Sequence, residues 1–241
     1  MKILEVKNVE KSLSWKKVLK WISFDVNAWE IYGFLWPNWA WKTTTMKNIM
    51  WLIEQEAWEI YIFWKKGLTI EAKQKIGFMP ENTYLYKYLT GREFLKFNGK
   101  FFWLEWDKLN KKVEELLTKV WLQNDWDKFL SDYSKWMLQR VWLAQSIINE
   151  PKLLFLDEPM SGLDPIGRKS VKDLLVHLRD VWTTIFFNTH ILSDVESICD
   201  RISIIHNWSM VVVWKKVSSI EWGIEDFFIE SVTDKNEEEI K

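Results

Sequence analysis

The chain has 241 residues, with 33 lysines and arginines against 34 aspartates and glutamates and a single cysteine. That length holds one or two domains around a sizeable core, the near-zero net charge speaks against nucleic acid as a partner, and one cysteine excludes a disulfide framework. The amino terminus MKILEVKNVEKSL has no signal-peptide core and no apolar run reaches the roughly 18 residues of a membrane span, so a soluble, intracellular chain is expected.

From the amino terminus, LEVKNVE (4–10) and ISFDV (22–26) alternate polar and apolar residues as half-buried antiparallel strands do, whereas IYGFL (31–35) reads as a short buried strand of a parallel sheet. Met46, Ile49, Met50 and Ile53 recur at helical spacing and predict an amphipathic helix over 43–53, packed on that sheet. The stretch of about 84–149 is helical, with one stripe of Leu109, Val113, Leu116, Leu117 and Val120 and another of Met137, Val141, Ala144 and Ile148, and reads as an inserted helical subdomain. Alternation then resumes: a strand KLLFL (152–156), a helix carrying Val171, Leu174, Leu175 and Leu178, a strand TIFFNT (184–189), a short helix from Ile191, and the strands ISIIH and SMVVV. Strands separated by helices imply a parallel α/β core. The expected single domain is 1–232, with its core in 1–83 and 150–220, and TDKNEEEIK (233–241) reads as a solvated tail.

The stretch LWPNWAWKTTT (35–45) lies between a buried strand and a helix, the setting of a phosphate-binding loop G-x-x-x-x-G-K-[ST]. Such a loop needs glycine, because only glycine readily takes the φ > 0 conformations that turn successive N–H groups onto an anion. Trp36 and Trp41 hold both glycine positions and Trp39 stands between them, so the motif is broken as written. With glycine restored, the backbone of Trp36, Pro37, Asn38, Trp39, Ala40, Trp41, Lys42, Thr43 and Thr44 cradles a nucleotide phosphate. Lys42 then reaches the β- and γ-oxygens and Thr43 ligates Mg²⁺. LLFLDE (153–158) places Asp157 and Glu158 at the carboxyl end of a buried strand, where open α/β sheets bind ligands. Asp157 suits a hydrated Mg²⁺ and Glu158 the polarisation of an attacking water. His190 ends a parallel strand at the same edge, while His177, His206 and Cys199 have no comparable setting and read as structural.

Tryptophan and glycine are out of proportion throughout: 8 glycines stand where usage of about 7% predicts roughly 17, and tryptophan, normally scarce, occurs 19 times. The two deviations are opposite in sign, and together the counts make 27, a plausible glycine count for a loop-rich α/β protein. Placement agrees, because Asn38-Trp39, Asp125-Trp126 and Asn207-Trp208 sit where Asn-Gly and Asp-Gly turns are expected. Trp121 and Trp182 follow the helical patterns KKVEELLTKV and KDLLVHLRDV at the C′ position. The expectation is that these tryptophans are glycines in the native protein, their UGA codons having been translated under the wrong genetic code. Tryptophans used for packing or stacking would instead lie on apolar faces.

These residues resemble the ATP-binding cassette family, the ATPase subunits of ABC transporters, over nearly the whole chain. YSKWM (133–137), followed by Gln139 and Arg140, is similar to the family's signature motif in its S-K-G-M form, and SGLD (161–164) to its D-loop. The resemblance implies an α/β fold: a P-loop NTPase, RecA-like core with an N-terminal antiparallel β layer and an inserted α-helical subdomain. It implies ATP and Mg²⁺ as cofactors, Glu158 and His190 as catalytic residues, and Thr43, Asp157 and Glu81 around the metal, Glu81 standing at the Q-loop position. It further implies a head-to-tail homodimer in which Ser134, Lys135, Trp136 and Met137 close over the partner's nucleotide and Asp164 lies in the D-loop. A separately encoded transmembrane permease is the expected partner, placing the chain on the inner face of the cell membrane. GFMPE (77–81), LTGREFL and IEDFFIE are most similar to ATPase subunits of ABC-2-type exporters. Leu13 stands where the family stacks an aromatic residue on adenine, and Trp15 falls at a usual glycine, so adenine selectivity stays open. Two other readings are a non-transport ABC ATPase, which usually has tandem cassettes or coiled-coil arms not present here, and a module without nucleotide binding if the tryptophans are literal.

Overall fold

The computed structural model describes residues 1–13, 16–36, 46, 50, 57–81, 86–102, 106–207 and 209–238. Strands β1 (Lys2–Leu13), β2 (Lys16–Asn27), β3 (Ile31–Leu35), β4 (Ala57–Ile62), β5 (Lys65–Lys66) and β6 (Ile76–Met79) occupy the first third, with the short helix α1 (Ile70–Gln74) before β6. Helices α2 (Gly91–Gly99), α3 (Trp106–Lys119) and α4 (Lys135–Ser146) form the middle. Then come β7 (Leu153–Asp157), α5 (Pro165–Asp180), β8 (Thr184–Thr189), α6 (Leu192–Ile198), β9 (Arg201–His206), β10 (Ser209–Lys216) and α7 (Ile224–Glu238).

Two sheets result. The first, in the order β2-β1-β4-β5, is antiparallel. The second, in the order β10-β9-β3-β8-β7-β6, is parallel except for the β9–β10 hairpin. Residues alternate across the central sheet with the strand period of two. Ile31, Leu35, Leu154, Leu156, Ile185 and Phe187 point into a core shared with the helices. Tyr32, Phe34, Leu153, Phe155 and Phe186 point into a second core beneath the antiparallel sheet. There Phe24 of β2 meets Phe34 and Phe186 at ring-centroid distances of 5.3 and 5.8 Å. Arg201 ties the two sheets through Glu30 (3.0 Å) and Asp25 (3.4 Å).

The expected strands 4–10, 22–26, 31–35, 152–156 and 184–189 all lie on observed ones, and the two helical stripes bury their apolar faces, with Met137 half-buried. Of the helix expected over 43–53, Met46 and Met50 are described and both are buried in the second core. Three strands were not foreseen: β4 and β5, which extend the antiparallel sheet, and β6, which adds a parallel edge beside β7. The stretch 233–241, read as a solvated tail, begins inside α7, whose apolar face carries Phe227, Phe228 and Val232 onto the main core.

Candidate active site

Three neighbouring strands of the parallel sheet deliver the chemistry to one edge. Leu35 is in register with Thr189, and Asn188 with Asp157, so β3, β8 and β7 end side by side. Beyond Leu35 the chain enters the phosphate-loop stretch. Trp36 is buried and sets its ring edge against Phe34 at 6.1 Å. Pro37, Asn38, Trp39, Ala40, Trp41, Lys42, Thr43 and Thr44 lie outside the described residues. Glu81, half-buried, follows β6 at the same edge.

Asp157 and Glu158 are both buried. Asn188 Nδ2 donates to Asp157 Oδ1 at 2.9 Å. Glu158 turns the chain sharply, with φ 52°, and its N–H donates to the Asn188 carbonyl at 2.9 Å. A left-handed glutamate carries strain of order 1–3 kcal/mol, which persists only where the surroundings enforce it. They do: Thr189 Oγ1 donates to Glu158 Oε2 at 3.2 Å, His190 Nδ1 lies 2.8 Å from Oε1, and Gln139 Nε2 of α4 donates to the Glu158 and Pro159 carbonyls at 3.2 and 2.8 Å. His190 itself is part-exposed at the edge. The predicted pair Glu158 and His190 is therefore assembled, with Asp157 beside it.

Asn188, Thr189 and Gln139 escaped the sequence reading as supports for this pair. Their signal was present, since Asn188 and Thr189 directly precede His190 and Gln139 belongs to the signature segment.

Ser134 caps α4, its Oγ accepting from Met137 N–H at 3.2 Å, and both Ser134 and Lys135 are exposed. Lys135 lies over the D-loop, its Nζ 2.9 Å from where a Cβ on Gly162 would stand, and Gly162 has φ 73°. The left-handed φ is what calls for glycine there, since the lysine tip can swing aside. Asp164 caps α5 by accepting from Gly167 N–H at 2.9 Å, a structural task not anticipated for it. Behind the signature turn, Arg140 is buried with its guanidinium 3.4 Å from the Trp136 ring centre and 4.7 Å from that of Trp121. Burial pushes it down to about 10, against the opposing charge of Asp164.

The sequence profile of the ABC transporter family matches residues 19–161. The chain belongs to the ABC transporter family. Among curated relatives, an uncharacterized ABC transporter ATP-binding protein of Nostoc sp. is 43% identical over 195 residues, covering 80% of this chain and 58% of its own length. The linearmycin resistance ATP-binding protein LnrL of Bacillus subtilis is 33% identical, covering 89% of this chain and 70% of its own. The chain thus spans little more than half of the Nostoc relative. A solved structure of the ATP binding subunit of an ABC transporter superposes with a TM-score of 0.85 at 26% identity, covering 95% of this chain and 99% of that one. The expected P-loop NTPase core, antiparallel layer and helical subdomain are those of ABC cassettes. Asp157, Glu158 and His190 stand at the carboxyl edge of that ABC core.

Proposed function

We propose that this ABC protein binds and hydrolyses ATP to drive export through a separate membrane subunit. The observation that carries the reading is the clustering of Asp157, Glu158 and His190 beside the end of β3, the strand that feeds the phosphate loop. Glu158 is the group that takes a proton from the attacking water. His190 and Thr189 aim its two oxygens, and Asn188 does the same for Asp157. A positioned base of this kind contributes roughly 10²–10⁴-fold to a rate.

The residues present fit Mg²⁺. Among the described residues no cluster of three or more histidines, cysteines or carboxylates converges on a metal. Mg²⁺ in phosphoryl transfer needs only one or two carboxylates besides the phosphates. Asp157 is a buried carboxylate, and the neighbouring Asn188 Oδ1 is a buried acceptor with no hydrogen-bond partner among the described residues, suited to a metal-bound water. Asp157, Thr43 and Glu81 would hold the ion, which supplies charge neutralisation on the phosphates.

One feature supports the membrane partner. Exposed Tyr86, Tyr88, Phe97 and Phe101 form an aromatic patch on and beside α2, with ring centres 5.3–6.0 Å apart, at the subdomain that follows Glu81. Exposed apolar patches of this kind mark interaction sites. The LnrL relative, whose name records linearmycin resistance, favours export.

The test uses the chain with glycine at its tryptophan positions. Glu158→Gln removes the base while keeping its shape, so ATP binding and ATP-dependent pairing should persist while phosphate release falls roughly 10²–10⁴-fold. Near-wild-type turnover would assign the role to another carboxylate. Capture of that trapped form from native membranes should recover an integral membrane subunit, and recovery of ribosomes or DNA instead would replace the transport reading with a soluble ABC function.

A further inference from the structure

Among the described residues five tryptophans have left-handed backbone: Trp21 (φ 53°), Trp29 (65°), Trp64 (65°), Trp121 (58°) and Trp182 (75°). A side chain at Cβ is disfavoured there by about 1–2 kcal/mol, and bulky residues are genuine outliers. The local hydrogen bonding shows why the backbone insists on it. After α3, Trp121 N–H donates to the Thr118 carbonyl and Leu122 N–H to that of Leu117. After α5, Trp182 N–H donates to Arg179 and Thr183 N–H to Leu178. Both pairs make the closed helix end that glycine terminates. In the β4–β5 hairpin, Ile62 pairs with Lys65, and the two residues between, Phe63 (φ 49°) and Trp64 (φ 65°), form the turn whose second position favours glycine.

The rings behave accordingly. All five are exposed, from 40% for Trp121 to 67% for Trp21, so burial does not compensate for the strain. Of the tryptophans turned inward, Trp136 and Trp142 leave a buried Nε1 with no acceptor among the described residues, whereas Trp36 is buried against Phe34. Tryptophans retained for packing would bury the ring and satisfy that N–H.

We infer that the codon written here as tryptophan is decoded as glycine in this protein's own cell, so that the working chain carries glycine at all 19 positions. The backbone and indole observations are independent of the ATPase reading, but they restore the phosphate loop at Trp36 and Trp41 and the S-K-G-M signature at Trp136. An apolar cavity of about 550 Å³ at the opposite, amino-terminal edge of the sheet is lined in part by Trp29, Trp64 and Trp182, so glycine at those positions removes three indoles from its wall and leaves Met1, Ile3, Phe63, Lys75 and Lys152 around a wider opening.

Peptide mass spectrometry on the protein purified from its own cells tests the inference directly. The peptides spanning Trp29, Trp64, Trp121, Trp136 and Trp182 should each be lighter by the difference between an indolylmethyl group and a hydrogen. Tryptophan in any of them overturns uniform decoding. Two recombinant forms, one as written and one with glycine throughout, are then compared for Mg-ATP binding, which only the glycine form should show. Glycine peptides together with a glycine form that ignores ATP would uphold the decoding and sink the ATPase reading; tryptophan peptides would sink the decoding whatever either form binds.

Discussion

Asn188 is the residue whose importance the geometry raises most. Its side-chain amide donates to Asp157 from the neighbouring strand at 2.9 Å, in full burial, while its side-chain oxygen Oδ1 has no partner among the described residues. Hydrogen bonds to charged groups contribute roughly 1.5–3 kcal/mol, so Asn188→Leu in the glycine form should weaken Mg²⁺-dependent ATP binding by about ten- to a hundredfold. A positioning role predicts that nucleotide binding measured without Mg²⁺ hardly changes. Equal loss with and without the metal, in titrations by calorimetry, would reduce Asn188 to a packing residue. Glu158 illustrates the same scale differently, since its left-handed φ is set by the turn after β7 and held by Thr189, His190 and Gln139.

At the scale of elements, turns and helix ends carry the strain. Trp64→Gly in the chain as written relieves a left-handed Cβ in a hairpin whose ring is mostly exposed, with little contact to lose. A gain of about 1 kcal/mol is expected, which in a chain of this size raises Tm by roughly 2–4 °C in thermal unfolding. Trp182→Gly relieves the same strain but discards an edge-on contact with Trp29 at 4.8 Å, and aromatic pairs return about 0.5–1.5 kcal/mol. Its gain should therefore be smaller than that of Trp64→Gly. The reverse order, or a loss at Trp64, would show that these rings stabilise the fold.

For the whole molecule, the exposed Ser134 and Lys135 matter because the turn at the start of α4 presents them to solvent. A second copy placed head to tail would set each signature serine over the other's nucleotide. Mixing a Ser134→Arg subunit with a Lys42→Ala subunit, both in the glycine form, confines the two defects to one composite site and leaves the other intact. Partial ATP-dependent pairing should survive in the mixture, read by size-exclusion chromatography with Mg-ATP. If neither variant alters pairing, alone or mixed, the two-fold arrangement is wrong.

Much of this protein was determined by local pattern. The period-two alternation of 4–10 and 22–26, the buried runs at 31–35 and 184–189, and the stripe from Leu109 to Val120 follow from which face each segment must hide, and each emerged as read. Asp157, Glu158 and His190 were legible because motif spacing placed each at the end of a strand. Tertiary structure alone decided the strands β4 and β6, whose short segments pair with partners distant in sequence, the two-residue β5 that follows β4 through a hairpin, and the helix over the first part of the expected tail, whose apolar face is useful only against the main core. The supports of Glu158 were hidden for the same reason, since hydrogen bonds from Thr189 and Gln139 depend on which strands and helices become neighbours. Pattern already placed Trp121 and Trp182 at helix ends, but only the backbone could add Trp21, Trp29 and Trp64 to the positions where a Cβ does not belong, because φ is set by the local hydrogen bonding of the fold rather than by the residue written there.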